Sequence, residues 1–164
     1  MTKIVVLSDT HIPERAQDMP EEVYASIKDS DLILHAGDIT SIEFLEKLKK
    51  IAEVKVVSGN MDDHEIKENL PRKQLLRIGG FSIALIHGWG APKAIVDLVY
   101  NEFLQEKPDI IIFGHSHQPF KKQRNGTLLF NPGSPTDKIF ASVNSYGIIT
   151  LDEQINAQII KLNG

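Results

Sequence analysis

Short unbroken apolar runs alternate with stretches in which apolar residues recur at helical spacing. Ile4 to Leu7 is a continuous apolar run that stops at Ser8 and Asp9, the pattern of a strand covered on both faces. Leu32 to Leu34, Val54 to Val57 and Ile110 to Phe113 predict further buried strands. Pro20 to Lys28 has proline at a first helical position, acids in its first turn and a lysine near its end, and predicts a helix. Thr40 and Glu43 stand at capping-box spacing, and Ile42, Leu45, Leu48 and Ile51 follow at helical intervals. A second amphipathic pattern opens at Pro92 and runs through Gln105, with Ile95, Leu98, Val99 and Phe103 on one face. Three hairpins are expected. Gly79-Gly80 joins Leu75–Ile78 to Phe81–Ile86, Asn125-Gly126 joins Phe120–Arg124 to Thr127–Phe130, and Tyr146–Leu151 returns as Ile155–Leu162.

Strands alternating with helices in the first half predict an α/β fold with a parallel core. The all-β tail then implies two packed sheets with helices on their outer faces, a two-sheet β-sandwich flanked by helices. The 164 residues contain no repeat or linker and are expected to form a single domain, 1–164. A domain of that size buries roughly 70% of its unfolded surface and needs no staples. With no cysteine, thiolate metal sites, disulfides and Cys nucleophiles are excluded. A net charge of −4 argues against extended nucleic-acid binding, which needs a basic excess. No apolar run reaches the length of a membrane span, and the N-terminal run is too short for a signal peptide. A cytoplasmic protein is expected. An edge strand in the C-terminal β region could support a homodimer.

The candidate chemistry lies at the ends of the predicted strands. Asp9 and His11 follow the first, Asp38 the second, Asn60 the third, His87 the hairpin strand, and His115 and His117 the run at 110–113. Each alone has an ordinary reading as a turn or cap residue. In an open α/β sheet, however, residues outside the carboxyl ends of the strands converge on one edge. Two Asp, one Asn and four His without a thiol suit Mn, Fe, Zn, Co or Ni. Seven donors are too many for one tetrahedral ion; they suit two cations about 3.5–4 Å apart with one bridging carboxylate.

Asp9-x-His11, Gly37-Asp38, Gly59-Asn60, His87-Gly88 and Gly114-His115-x-His117 resemble, in order, the five signature blocks of the calcineurin-like metallophosphoesterases. The short length and the Gly59-Asn60-Met61-Asp62 form of the third block are similar to the YfcE-like phosphodiesterase branch, which includes the Vps29 trafficking proteins. The resemblance implies that Asp9, His11 and His117 hold one divalent metal, that Asn60, His87 and His115 hold a second, and that Asp38 bridges them. Manganese leads the candidates, with Ni, Fe, Co and Zn behind it. It also implies a small phosphate-ester substrate. Asn131-Pro132-Gly133-Ser134 resembles a loop of the same branch, and is expected to be a turn bordering the pocket.

Two dications would lower the pKa of a bridging water, neutralise phosphate oxygens and hold nucleophile and phosphorus in line. Phosphodiester hydrolysis is the expected reaction. Many family members carry a histidine after the asparagine as proton donor, but here the position is Met61. Asn60, Asp62 and His64 are the candidate catalytic residues of this block, and the plainer reading of Asp62 and Asp63 is a solvated turn or a cap for a short helix at His64–Asn69. Arg15 is a candidate phosphate contact and Trp89 a candidate stacking partner for the substrate. His35, just before Gly37-Asp38, either supports the site or simply packs. The alternative function is a Vps29-like protein-binding scaffold with little or no catalysis. Retention of every ligand position favours the enzyme.

Overall fold

A computed structural model describes residues 1–162. The chain runs β1 (Thr2–Leu7), α1 (Glu21–Lys28), β2 (Leu32–His35), α2 (Ile42–Lys49), β3 (Glu53–Val56), α3 (His64–Asn69), β4 (Lys73–Ile78) and β5 (Phe81–Ile86). It continues with α4 (Ile95–Glu102), β6 (Ile110–Ile112), β7 (Pro119–Arg124), β8 (Thr127–Pro132), β9 (Ser145–Leu151) and β10 (Ile155–Lys161). The strands form two five-stranded sheets, ordered β10-β9-β1-β2-β3 and β4-β5-β6-β8-β7. Each has a parallel centre, β1-β2-β3 in one and β5-β6-β8 in the other, with antiparallel hairpin strands outside it. The expected sandwich flanked by helices is the observed architecture.

The unbroken apolar runs have a direct cause. In β1, Ile4 and Val6 point between the sheets and pack in one cluster with Ile83, Leu85, Ile110, Ile112 and Phe130. Val5 and Leu7 point the other way, into a cluster with Val23 and Ile27 of α1 and Phe44 and Leu48 of α2. On the second sheet, Ala84, Ile86 and Ile111 share a cluster with Ile95 and Val99 of α4 and with Phe103. A strand covered on both faces leaves no position for a polar side chain until it ends, so polar residues collect where the strands stop.

Two local expectations change. Ser41, not Thr40, caps α2, its hydroxyl accepting from the Phe44 N–H. Thr40 is diverted by tertiary contacts: its N–H donates to Asp62 and its hydroxyl to the Ile12 carbonyl. Helix α4 covers Ile95–Glu102 rather than the whole of 92–105, because residues 92–94 form a separate turn closed by Ala94 N–H to Ala91 O. Both Gly-containing hairpin turns join the strands expected, and Asn131 and Pro132 end β8 instead of standing in a free turn. Among the described residues no helix is long and apolar enough to cross a membrane.

Gly147 in β9 marks how closely the sheets meet. A methyl there would lie 2.5 Å from Phe130 Cε1 and 3.2 Å from Val6 Cβ. Gly147→Ala should therefore destabilise the protein by about 1–3 kcal/mol in denaturant unfolding, since a packed core resists an added carbon. A loss too small to measure would mean that Phe130 has room to move aside.

Candidate metal centre

The loops that follow β1, β2, β3, β5 and β6 meet at one end of the sandwich. The structure brings the seven candidate ligands together there. Asp38 Oδ2 lies 3.5 Å from His11 Nε2 and 3.2 Å from His87 Nε2. Asp9 Oδ1 lies 3.4 Å from His117 Nε2 and 3.7 Å from His87 Nε2. Asn60 Oδ1 is 3.0 Å from His87 Nε2 and 3.2 Å from His115 Nδ1. Ligand atoms of Asp9, His11, Asp38 and His117, all buried, lie within 4.8 Å of one another.

The backbone is bent hard to achieve this. Asp9, His11, Asp38, His115 and His117 all have φ between 46° and 73°, in the left-handed region that side chains with a Cβ seldom occupy. Bonds between loops hold these turns: Asp9 N–H donates to Gly37 O, His11 N–H to Asp38 O, and Gly114 N–H to His87 O. Gly37 must be glycine both for its φ of 104° and because a methyl would sit 2.7 Å from His87 Nδ1. At Gly59 a methyl would overlap Asp38 Oδ1.

Each carboxylate is fixed by one oxygen and open at the other. Asp9 Oδ2 accepts from the Ser8 hydroxyl at 2.8 Å and the His115 N–H at 3.1 Å, while Oδ1 has no hydrogen-bond partner. Asp38 Oδ1 accepts from the Met61 N–H at 2.8 Å, leaving Oδ2 towards the imidazoles. The histidines are held in the same way. His87 Nδ1 donates to the Ala36 carbonyl, His115 Nε2 to the Gly90 carbonyl and His117 Nδ1 to the Asp137 carboxylate. Such partners orient an imidazole and turn its other nitrogen towards the centre, where those of His87 and His115 meet Asn60 Oδ1 and that of His117 meets Asp9 Oδ1. Both nitrogens of buried His11 are unpaired. Buried lone pairs without donors are costly. A cation answers that cost, so the donor set fits a metal.

The electrostatics follow from this crowding. Burial alone would raise Asp9 and Asp38, but the histidines around them, His87 above all, hold both below the usual carboxylate range. Burial would depress His87, yet Asp9 and Asp38 lift it to about 9. His117 is raised against its burial by Asp9 and Asp137. Burial dominates His11 and His115 and lowers both. His35 lies fully buried behind the centre, where burial pushes it down to about 3. Its Nδ1 accepts from the Gly37 N–H and its Nε2 meets the Thr10 hydroxyl, so the neutral ring supports the turn that carries Asp38.

The remaining candidates separate. Arg15 lines a cavity of about 430 Å³ together with His11, Asp38, Asn60 and His117. Trp89 lies in a neighbouring cavity with Arg72 and Lys67, across Asn60 and His87. Asp62 is buried rather than solvated. Its carboxylate accepts from the N–H groups of Gly59, Asp38 and Thr40, which fixes the Asp38 and Asn60 loops to each other. Asp63 caps α3. The His64 side chain is 88% exposed and pairs with Glu68, outside the cavity. Asp137 escaped the sequence reading, and Ser134 entered it only as part of the turn expected at 131–134. Asp137 holds His117, and the buried Ser134 hydroxyl donates to the Asp9 carbonyl. Asp137, three residues beyond that block, reads as an ordinary loop residue, so no local signal marks it.

With this geometry, the comparisons agree. The model of the calcineurin-like phosphoesterase superfamily domain matches residues 2–154. A probable metallophosphoesterase of Methanothermobacter thermautotrophicus is 42% identical over 159 residues, covering 96% of this chain and 91% of its own. The solution structure of protein TM1076 from Thermotoga maritima superposes with a TM-score of 0.77 at 32% identity, covering 99% of this chain and 100% of that one. Vps29 from Entamoeba histolytica, solved complexed with zinc, superposes with a TM-score of 0.74 at 25% identity, covering 98% of this chain and 99% of its own.

The buried neutral state of His35 has a measurable consequence. Its folded pKa of about 3 lies below the unfolded value of 6.5, so its contribution to stability is complete above pH 6.5 and is lost as the pH falls towards 3. In chelator-treated protein, His35→Asn keeps an acceptor for the Gly37 N–H but cannot titrate. Its melting temperature should fall less steeply than that of the wild type between pH 6.5 and 4. Parallel slopes would show that His35 is not held neutral.

Proposed function

This chain belongs to the calcineurin-like phosphoesterase superfamily, and on that premise we propose that it hydrolyses phosphate diesters at a centre for two divalent cations. The observation that carries the proposal is the pairing of open donors. Asp38 Oδ2 faces His11 on one side and His87 on the other, and so belongs to two donor groups at once. Asp9, His11 and His117 complete one group. Asn60, His87 and His115 complete the other. Oxygen and imidazole donors suit Mn, Fe, Co, Ni or Zn, and manganese leads only on the family resemblance. Cations held there would lower the pKa of a water and offset the charge on a phosphoryl group.

The chain's own residues set the limits of the reaction. Two carboxylates against two dications leave roughly two positive charges for an anionic substrate, and the neutral Asn60 preserves that excess. Arg15 adds a cation on the cavity wall. Met61 lines the same cavity, where it can donate no proton. Asp62 is committed to backbone N–H groups, and His64 stands outside. Leaving groups that need no protonation are therefore favoured. Zinc in the Entamoeba Vps29 means that metal retention alone does not separate enzyme from scaffold. Turnover separates them.

Chelation should abolish hydrolysis of bis-p-nitrophenyl phosphate, and Mn²⁺ should restore it. Asp38→Ala and His87→Ala should each lower kcat/KM by at least about 100-fold, beyond what loss of a supporting partner usually does. Activity indifferent to chelator and to both substitutions would end the proposal.

A second comparison tests the missing proton donor. Steady-state kcat/KM should be far higher for activated aryl diesters than for simple alkyl monoesters. Efficient turnover of an alkyl monoester would require a donor that the cavity does not display.

A further inference from the structure

We propose that Phe140 is the wall of a subsite for a planar aromatic group on the retained side of the ester, so that the preferred substrates are phosphodiesters bearing an aromatic or nucleobase-like group besides the leaving group. This rests on the phosphodiesterase reading above and narrows its substrate class.

The cavity over the metal centre has two kinds of wall. His11, Asp38, Asn60, His115 and His117 supply the polar side, while Phe140, Met61 and Pro92 also line it. Its volume of about 430 Å³ exceeds what a phosphoryl group alone would fill. Phe140 is 60% exposed and Met61 48%. Large apolar side chains left open beside a charged centre suit a ligand that brings both an anionic and an apolar part.

Phe140 is presented rigidly. The buried Asp137 carboxylate accepts from the N–H groups of Ile139, Phe140 and Ala141 at 2.9 to 3.0 Å. Gln118 donates to the Phe140 carbonyl and accepts from the Ser142 N–H and hydroxyl, closing the loop from the other side. An exposed aromatic ring on a loop with this many bonds is pre-organised, so little order is lost when a ligand packs on it.

The ring is also in register with the reaction centre. Its centroid lies 5.8 Å from that of His117, edge to face, and the same Asp137 carboxylate holds both His117 and the Phe140 loop. The Arg15 guanidinium lies over the ring, 5.3 Å from its centroid, and its Nη1, which has no hydrogen-bond partner, stands 3.9 Å from Asp137 Oδ1. Arg15 thus backs one face of the ring, and the 60% of Phe140 that stays exposed is open to a substituent of a phosphate held at the centre. Ile139 is also exposed but does not line the cavity. Phe140 is therefore the aromatic residue that joins the exposed apolar surface to the centre, with Met61 beside the same cavity.

The test varies only the retained group. Phenyl p-nitrophenyl phosphate and methyl p-nitrophenyl phosphate share one leaving group. In each, the oxygen of water bonds to phosphorus, the bond from phosphorus to the p-nitrophenolate oxygen breaks, and the proton of water passes to solvent. The readout is the ratio of kcat/KM for the phenyl ester to that for the methyl ester, measured with the Mn²⁺-loaded protein. The ratio is independent of the fraction of active enzyme. In Phe140→Ala it should fall about tenfold relative to wild type, the scale of one aromatic stacking contact. Phe140→Trp should keep the wild-type ratio. An unchanged ratio in Phe140→Ala, or an equal fall in Phe140→Trp, overturns the subsite while leaving the phosphodiesterase reading intact. Failure of the wild type to hydrolyse either ester with any of the five metals overturns both.

Discussion

Burying two carboxylates and three histidines in one hollow is the constraint around which the end of this sandwich is organised. Asp9, His11, Asp38, His87 and His117 are all almost inaccessible to solvent. A buried carboxylate oxygen with no donor is among the most expensive groups a fold can carry. The protein accepts that expense at Asp9 Oδ1 and, at His11, leaves two further ring nitrogens unpaired. The surrounding polar groups are spent on orientation. Ser8 and the His115 N–H fix the other oxygen of Asp9, the Met61 N–H fixes Asp38, and carbonyls or a carboxylate fix three imidazoles. Carboxylates gathered in this way draw positive charge to them, the need that raises His87 to about 9 and that a bound cation would also meet.

The same side chain has opposite fates according to what it meets. Asp62 and Asp137 are as buried as Asp9 and Asp38, yet each is saturated by backbone N–H groups, with His117 added at Asp137. They act as clamps between loops. Asp62 binds the loop after β2 to the loop after β3, and Asp137 binds His117 of the loop after β6 to the segment carrying Phe140. The left-handed residues of the centre persist because such clamps over-determine their positions.

Two cavities share Asn60, one over the metal centre and one around Trp89. They differ in what their aromatic residue can do. Trp89 packs with the α4 cluster, and the Arg72 guanidinium lies 5.0 Å from its ring centroid. Phe140 lies on the edge of the first cavity with most of its surface open. Proximity of an aromatic residue to a histidine block in sequence pointed to Trp89, whereas the fold brings the open ring from a segment some fifty residues later, as the numbering shows.

The strands and the residues at their ends were legible in the chain because both follow from local rules. A strand covered on both faces must be apolar throughout, and Ile4–Leu7 and Ile110–Phe113 obey this without reference to the rest of the molecule. The chemical types of Asp9, His11, Asp38, Asn60, His87, His115 and His117 likewise make a donor set whatever the distances between them. Tertiary structure alone decided the fate of the other polar residues. Ser41 replaced Thr40 as a cap because Thr40 was drawn to Asp62 and Ile12. Asp62 became a clamp, not a solvated turn, because N–H groups from positions 38, 40 and 59 converge on it. Asp137 and Phe140 gained their places only when the segment after β8 folded back over His117. A hydrogen bond between distant segments depends on which backbone groups the fold leaves unpaired, and that is settled only when all the strands are in place.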